Sequence, residues 1–114
     1  MNTIYSIVGL FSLGALLGMY LLAMVLQNKE TPKFVTVLHG LFVATALVIL
    51  IIYACNEGPD FIASIVLFVM AAAGGAVLVY RDITAKKIPK WLAVTHGLLA
   101  AAGFVILLLK VFVQ

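Results

Sequence analysis

The sequence predicts an all-α integral membrane protein, with four transmembrane helices in an up-down bundle. The chain is 66% hydrophobic and only 10% charged, which is far from the composition of a soluble globular domain. Its apolar residues fall into four runs, each of the length of about 20 residues that a helix needs to cross a bilayer. The runs are uniformly apolar rather than alternating, which favours helices over a β-barrel.

The predicted helices form one membrane domain that covers residues 1–114. They span Ile4–Leu26, Phe34–Ala54, Phe61–Tyr80 and Trp91–Phe112. None of them contains Asp or Glu, and Lys110 is their only lysine. The first run is too long for a signal peptide and has no basic segment before it. Short connections make consecutive helices antiparallel neighbours, so helices 1 and 3 are expected on one diagonal and helices 2 and 4 on the other.

The loop charges predict an orientation in the membrane. The basic side chains lie between helices 1 and 2 and between helices 3 and 4: Lys29, Lys33, Arg81, Lys86, Lys87 and Lys90. The positive-inside rule therefore places both basic loops in the cytoplasm and both termini outside, as in a bacterial inner membrane. These loops account for the net charge of +3. They indicate contact with anionic lipid head groups, and they require no nucleic acid.

An internal repeat runs through the chain without a gap. Pro32, Lys33, His39, Gly40 and Leu41 recur as Pro89, Lys90, His96, Gly97 and Leu98. The spacing is always half the length of the chain, and it is called here the repeat interval. The pattern predicts two repeats, residues 1–57 and 58–114. Each repeat crosses the membrane twice, so the second enters in the orientation of the first. The repeats are then parallel and related by a pseudo-twofold axis along the membrane normal.

The repeated histidines are the candidate site residues. Polar side chains inside a membrane are costly, and they often mark function. His39 and His96 lie at one depth, on helices expected about 11–14 Å apart across the bundle. No Cys, Asp or Glu is available at that depth to complete a zinc site. We therefore expect one haem b with His39 and His96 as axial ligands to its iron.

Small and basic residues near the histidines fit this hypothesis. Room for a porphyrin is predicted at Gly14, Gly18, Ala71 and Gly75, and the haem propionates are predicted to contact Lys33, Lys90 and Arg81. Thr36 and Thr95 are expected to orient the imidazoles. The same residues also allow functions without haem. Gly14 and Gly18 form a small-x-x-x-small pattern that packs helices without a cofactor. The histidines can also hydrogen-bond a neighbour or carry protons.

With these features, the chain resembles small membrane-bound b-type cytochromes, which are helical bundles with haem held by histidines beside glycines. The resemblance covers the whole chain in architecture, and its specific residues are His39, His96 and the glycines of helices 1 and 3. It implies one-electron transfer, with quinone or as a subunit of a larger redox complex. Two histidine ligands leave no open position on the iron, so the chain is expected to transfer electrons rather than to act as an enzyme.

Two other functions remain open. In length and in its four crossings the chain also resembles small multidrug-resistance transporters. Their proton coupling depends on a carboxylate in helix 1, and Ile4–Leu26 has none. The second alternative is a haem-free structural or accessory subunit of a membrane complex. Cys55 is the only cysteine, so a disulfide would have to join two chains, and homo-oligomers remain an option.

Overall fold

The protein forms four long α-helices joined by short connections. The computed structural model describes residues 2–57 and 59–113. The α-helices are α1 (Asn2–Leu26), α2 (Lys33–Glu57), α3 (Ile62–Ile83) and α4 (Lys90–Phe112), and a 3-10 turn, Pro59–Phe61, precedes α3. The predicted all-α class and the number of helices are confirmed. Each helix end lies within three residues of the predicted one.

One of these small differences matters for the site. Helix α3 continues beyond Tyr80, so Arg81 and Asp82 lie in its last turn rather than in a loop. The helix ends when the N–H group of Thr84 donates to the carbonyl of Tyr80 at 3.1 Å. The apolar run ends before the first charged residue, Arg81, whereas the backbone hydrogen bonds of the helix continue for about another turn. A carboxylate that the hydropathy pattern places outside the helices therefore belongs to α3.

The four helices are arranged as a ring in chain order. Helix α1 packs against α2 and α4, and α3 packs against α4 and α2. Helices α1 and α3 lie on one diagonal, and α2 and α4 lie on the other. The larger interfaces are those of α1 with α2 and of α3 with α4. This is the arrangement that the short connections predict.

The loops after α1 and α3 begin in the same way. Asn28 and Ala85, which are separated by the repeat interval, both adopt positive φ angles, of 58° and 57°. The next residue of each loop donates a backbone hydrogen bond to a carbonyl five residues earlier: Lys29 to Met24 at 2.9 Å and Lys86 to Arg81 at 2.8 Å. This Schellman-type ending satisfies carbonyls at the end of the helix. Both loops lie at one end of the bundle, called here the basic end.

The bundle is slender, and its core is narrow. It measures 41 × 23 × 20 Å, and its long dimension is close to the total thickness of a bilayer, about 40–45 Å. All four helices are long and apolar enough to cross a membrane, and at most 17% of the residues in each apolar stretch are buried. Most large apolar side chains therefore lie on the outer surface, where soluble proteins rarely expose so much apolar area.

Candidate functional site: the histidine pair

Each histidine is fixed by a backbone carbonyl of the helix that precedes it. Nδ1 of His39, on α2, lies 2.8 Å from the carbonyl oxygen of Gly14 on α1. Nδ1 of His96, on α4, lies 2.7 Å from the carbonyl oxygen of Ala71 on α3. A carbonyl oxygen only accepts hydrogen bonds, so Nδ1 is the donor in both rings. In the neutral imidazoles the lone pair is then on Nε2, which is the nitrogen left for a ligand.

The two hydrogen bonds correspond position by position. Each joins residues that are 25 apart. The acceptors, Gly14 and Ala71, are separated by the repeat interval, as are the two histidines. Both acceptors are buried. The structure thus places two of the residues predicted to make room for a porphyrin, Gly14 and Ala71, at the carbonyls that orient the rings.

Two glycines make room for the imidazole rings themselves. A Cβ atom on Gly18 would lie 2.9 Å from Cε1 of His39, and one on Gly75 would lie 3.0 Å from Cε1 of His96. These separations are below normal van der Waals contact, so a larger residue would displace the rings. The sequence predicts that Gly18 and Gly75 leave space for a porphyrin. In the structure the imidazoles occupy the space beside them.

Besides the hydrogen bond of its carbonyl oxygen, Gly14 makes a second close contact with α2. A Cβ atom there would overlap Cγ1 of Val43 on α2. Glycine at this position therefore allows α1 and α2 to approach closely, as the small-x-x-x-small pattern of Gly14 and Gly18 predicts. Gly14 therefore serves close packing of the two helices. Gly18 also makes room for the ring of His39.

The two imidazoles meet across the centre of the bundle. Their ring centroids are 6.2 Å apart, and the ring planes are inclined at 83°. His39 and His96 lie on the diagonal helices α2 and α4, and both rings are partly buried. The structure thus brings the two histidines together from opposite helices of the ring.

An aromatic pair lies beyond the histidines, toward the end of the bundle opposite the basic end. Phe11 and Phe68, on the diagonal helices α1 and α3, stack with their centroids 4.2 Å apart and their planes inclined at 11°. Both are buried. Phe11 precedes Gly18 by seven residues, which is about 10 Å along a helix. The stacked rings fill the centre of the bundle on that side of the histidine pair.

Polar groups gather on the other side, at the basic end. The carboxylate of Asp82 accepts hydrogen bonds from Thr31 at 2.7 Å and from Thr36 at 3.3 Å, and Lys33 forms an ion pair with it at 2.7 Å. This group is called here the Asp82 cluster. It joins the start of α2 to the end of α3. Lys33, predicted to contact a propionate, is engaged here by a residue of the protein.

The remaining predicted basic residues line the rim. The Nε of Arg81 donates to the carbonyl of Lys87 at 2.8 Å. Lys90 is exposed and makes no side-chain hydrogen bond or ion pair within the part of the chain that the structure describes. Both side chains lie at the edge of one cavity, together with Trp91. Their contact with a propionate stays a prediction.

The expected role of the two threonines is wrong. The hydroxyl of Thr36 bonds to the carbonyl of Pro32 at 3.2 Å and to Asp82, and that of Thr95 donates to the carbonyl of Trp91 at 2.8 Å. Among the described residues, neither hydroxyl hydrogen-bonds to an imidazole. A threonine within a helix readily bonds to the carbonyl four residues earlier, and that bond turns it away from the ring. Gly14 and Ala71 supply the orienting acceptors instead.

Within residues 2–57 and 59–113, no group of three or more His, Cys, Asp or Glu side chains comes together as a metal site. Among these residues, no third side chain of these types joins His39 and His96 at the centre of the bundle. Such a set suits a group that brings its own equatorial donors, as a porphyrin does. Cys55 lies on α2 as a free, exposed thiol.

Comparison of the chain with protein-family models, with curated proteins and with solved structures found no match.

Proposed function

We propose that the protein is a small membrane cytochrome that holds one haem b between His39 and His96. The observation that carries the proposal is the separation of the two rings. Iron–nitrogen bonds of about 2 Å, by analogy with zinc–imidazole bonds, and about 1 Å from nitrogen to ring centre put the centroids of two axial imidazoles about 6 Å apart. The centroids of His39 and His96 are 6.2 Å apart.

The hydrogen bonds to the rings also suit ligation. Metal-bound histidines usually donate their second N–H group to a carbonyl or carboxylate, which fixes the ring and raises its basicity. His39 and His96 do so through Nδ1, to Gly14 and Ala71. Each ring therefore presents Nε2 as its ligand atom, and each is held in place by the packed helix beside it. These hydrogen bonds support His39 and His96 as the residues that would hold a haem.

The membrane setting and the duplication belong to the same proposal. Four apolar helices of spanning length support insertion, with the basic loops on the cytoplasmic side of a membrane such as the bacterial inner membrane. Buried positions recur at the repeat interval, and this recurrence supports a parallel duplication. The recurring buried pairs are Ile7 with Ser64, Phe11 with Phe68, Gly14 with Ala71, Ala46 with Gly103, and Leu50 with Leu107.

Haem, when bound, supplies reversible one-electron chemistry at its iron. The chain's own residues would ligate the haem, orient the ligating imidazoles and shield the site from water. His39 and His96 would hold the haem from both sides and leave no position for a substrate at its iron. The stacked rings of Phe11 and Phe68 exclude water from one side. Electron exchange with quinone or with a partner in a redox assembly is the role that such a closed site serves.

A visible spectrum tests this function directly. The full chain is expressed with added haem precursor, purified in detergent, and measured oxidised and then reduced with dithionite. We expect a Soret band and a low-spin spectrum. His39→Ala and His96→Ala should each abolish the low-spin form, and Thr95→Ala, next to His96 but exposed, should leave it unchanged. Absence of the Soret band would overturn the proposal.

A specific observation also favours a second candidate, a haem-free structural subunit. The same Nδ1 bonds fasten α2 to α1 and α4 to α3, and the two rings already meet edge to face. In that role the histidines only stabilise the bundle. This candidate predicts a colourless protein that co-purifies with a partner. It also predicts that His39→Gln, which retains a hydrogen-bond donor, is tolerated, whereas the cytochrome would lose its low-spin spectrum.

A further inference from the structure

A second candidate site lies at the basic end, away from the histidine pair. A cavity of about 490 Å³ opens between the loop after α1, the end of α3 and the start of α4. Its lining residues are Asn28, Arg81, Lys87, Pro89, Lys90 and Trp91. Three of these six are basic and none is acidic. The cavity is therefore strongly electropositive, and axial ligation by His39 and His96 does not involve it.

A neighbouring cavity at the same end provides the contrast. It also holds lysines, among them Lys29 and Lys33, but Glu30 and Asp82 line it as well. Asp82 forms an ion pair with Lys33 at 2.7 Å. Lys90 occupies the position equivalent to Lys33 in the second repeat, and within the described residues it has no such carboxylate. An anion bound from outside the chain would balance the charge of Lys90 as Asp82 balances that of Lys33.

The geometry of the lining residues suits a phosphate group in particular. The bond from Nε of Arg81 to the carbonyl of Lys87 holds the guanidinium and leaves its terminal nitrogens for another acceptor. A planar guanidinium held in this way matches two phosphate oxygens, and a lysine beside it adds a point charge. Asn28 offers a side-chain amide. Cations on three separate segments thus converge on one cavity.

Trp91 indicates where this cavity lies relative to the membrane. Its side chain is 70% exposed although it is the second residue of an apolar helix. Tryptophan is enriched at the membrane–water interface, at the level of the lipid head groups. The start of α4 also contributes the favourable end of a helix dipole, as a secondary effect. The cavity is thus placed at the depth of phosphates of the bilayer itself.

We propose that this cavity, called here the Arg81–Lys90 cavity, binds a phosphate group. The head group of an anionic phospholipid and a soluble phosphate compound share this chemistry. This occupant differs from the haem propionates that the sequence predicts for Arg81 and Lys90. Lys90 precedes His96 by six residues, about 9 Å along the helix, so the cavity lies apart from the histidine pair. The cavity does not depend on haem, so its test is independent of the spectrum.

The test measures lipid binding to the full chain, delipidated in a non-ionic detergent. Phosphatidylglycerol, phosphatidylcholine and inorganic phosphate are titrated separately, and bound adducts are counted by native mass spectrometry. The central variant is Lys90→Gln, because the Lys90 side chain makes no hydrogen bond or ion pair among the described residues whose loss would disturb folding. Lys29→Gln is the matched control, since it removes the same charge from the neighbouring cavity. Arg81→Gln is added, with circular dichroism to check its fold.

We expect phosphatidylglycerol to bind more tightly than phosphatidylcholine, and Lys90→Gln to weaken it about fivefold, since a basic residue near an anionic surface contributes about that factor. Lys29→Gln should change it less than twofold. Competition by millimolar inorganic phosphate assigns the site to soluble phosphates as well, and its absence assigns it to lipid. Equal losses in Lys90→Gln and Lys29→Gln, or no binding of any phosphate compound, would overturn the proposal.

Discussion

Gly18 lies directly beside the imidazole of His39: a methyl group on its Cα would stand 2.9 Å from Cε1. Gly75 has the same relationship to His96, at 3.0 Å. The glycines thus allow each ring to lie against its neighbouring helix and to reach the carbonyl one turn away. Ring position, hydrogen bond and helix spacing are consequently coupled, and substitution of either glycine tests all three.

Gly18→Ala should displace the His39 ring. Overpacking of this kind costs about 1–3 kcal/mol, of which the better helix propensity of alanine recovers about 0.5–1 kcal/mol. We expect a lower thermal midpoint and, with haem bound, an altered low-spin spectrum. Gly40→Ala is the control, because no atom lies within 4 Å of a Cβ there, and it should be neutral or slightly stabilising. Equal thermal midpoints for Gly18→Ala and Gly40→Ala would show that the His39 ring can move aside without loss of stability.

The second half of the chain contains its own matched pair of glycines. A Cβ on Gly75 would lie 3.0 Å from Cε1 of His96, whereas one on Gly74 would lie 3.7 Å from the nearest atom of that residue. Gly75→Ala should therefore lower the thermal midpoint, and Gly74→Ala should not, although the two positions are adjacent. Combining Gly75→Ala with His96→Ala removes the contact, so the double variant should show less than the sum of the two single losses. Strict additivity would argue against the contact as the cause.

The Asp82 cluster should contribute modestly to stability. Asp82→Asn removes the charge that attracts Lys33 and weakens the bond from Thr31. Because the Lys33 side chain is 50% exposed, solvent screens the pair, and we expect a loss of about 1 kcal/mol. Denaturant or thermal unfolding in detergent measures it, with Asp60→Asn, an exposed acid at the opposite end, as control. The loss should shrink in high salt; an effect insensitive to salt would point to the hydrogen bonds alone.

The sequence predicts the parts of this structure that follow from hydropathy and spacing. Four apolar runs with short connections determine the ring of helices, and the repeat interval places His39 and His96 at one depth on opposite helices. The sequence does not predict the acceptors of their hydrogen bonds, because a backbone carbonyl such as that of Gly14 has no sequence signature of its own. The sequence does not predict the hydrogen bond between Thr36 and Asp82 for a related reason. Side-chain direction depends on which partner is nearest in space, and sequence order does not reveal that.

Ser64 breaks the correspondence between the two halves in a way that can be measured. Its side chain is fully buried and its Oγ has no hydrogen-bond partner among the described residues. Ile7, which precedes it by the repeat interval, is fully buried as well. A buried hydroxyl without a partner costs about 1–3 kcal/mol, and the site evidently accommodates an apolar side chain in the other half.

Ser64→Ala should therefore raise the stability of the bundle, by about 1 kcal/mol after allowance for the small volume lost. Alanine also favours helices over serine, so Ser6→Ala, at an exposed position of α1, measures that contribution separately. The excess of the first change over the second is the cost of the unpartnered hydroxyl. If Ser64→Ala instead lowers the thermal midpoint, the Ser64 hydroxyl has a hydrogen-bond partner. That partner would then be a water or a bound group beside it.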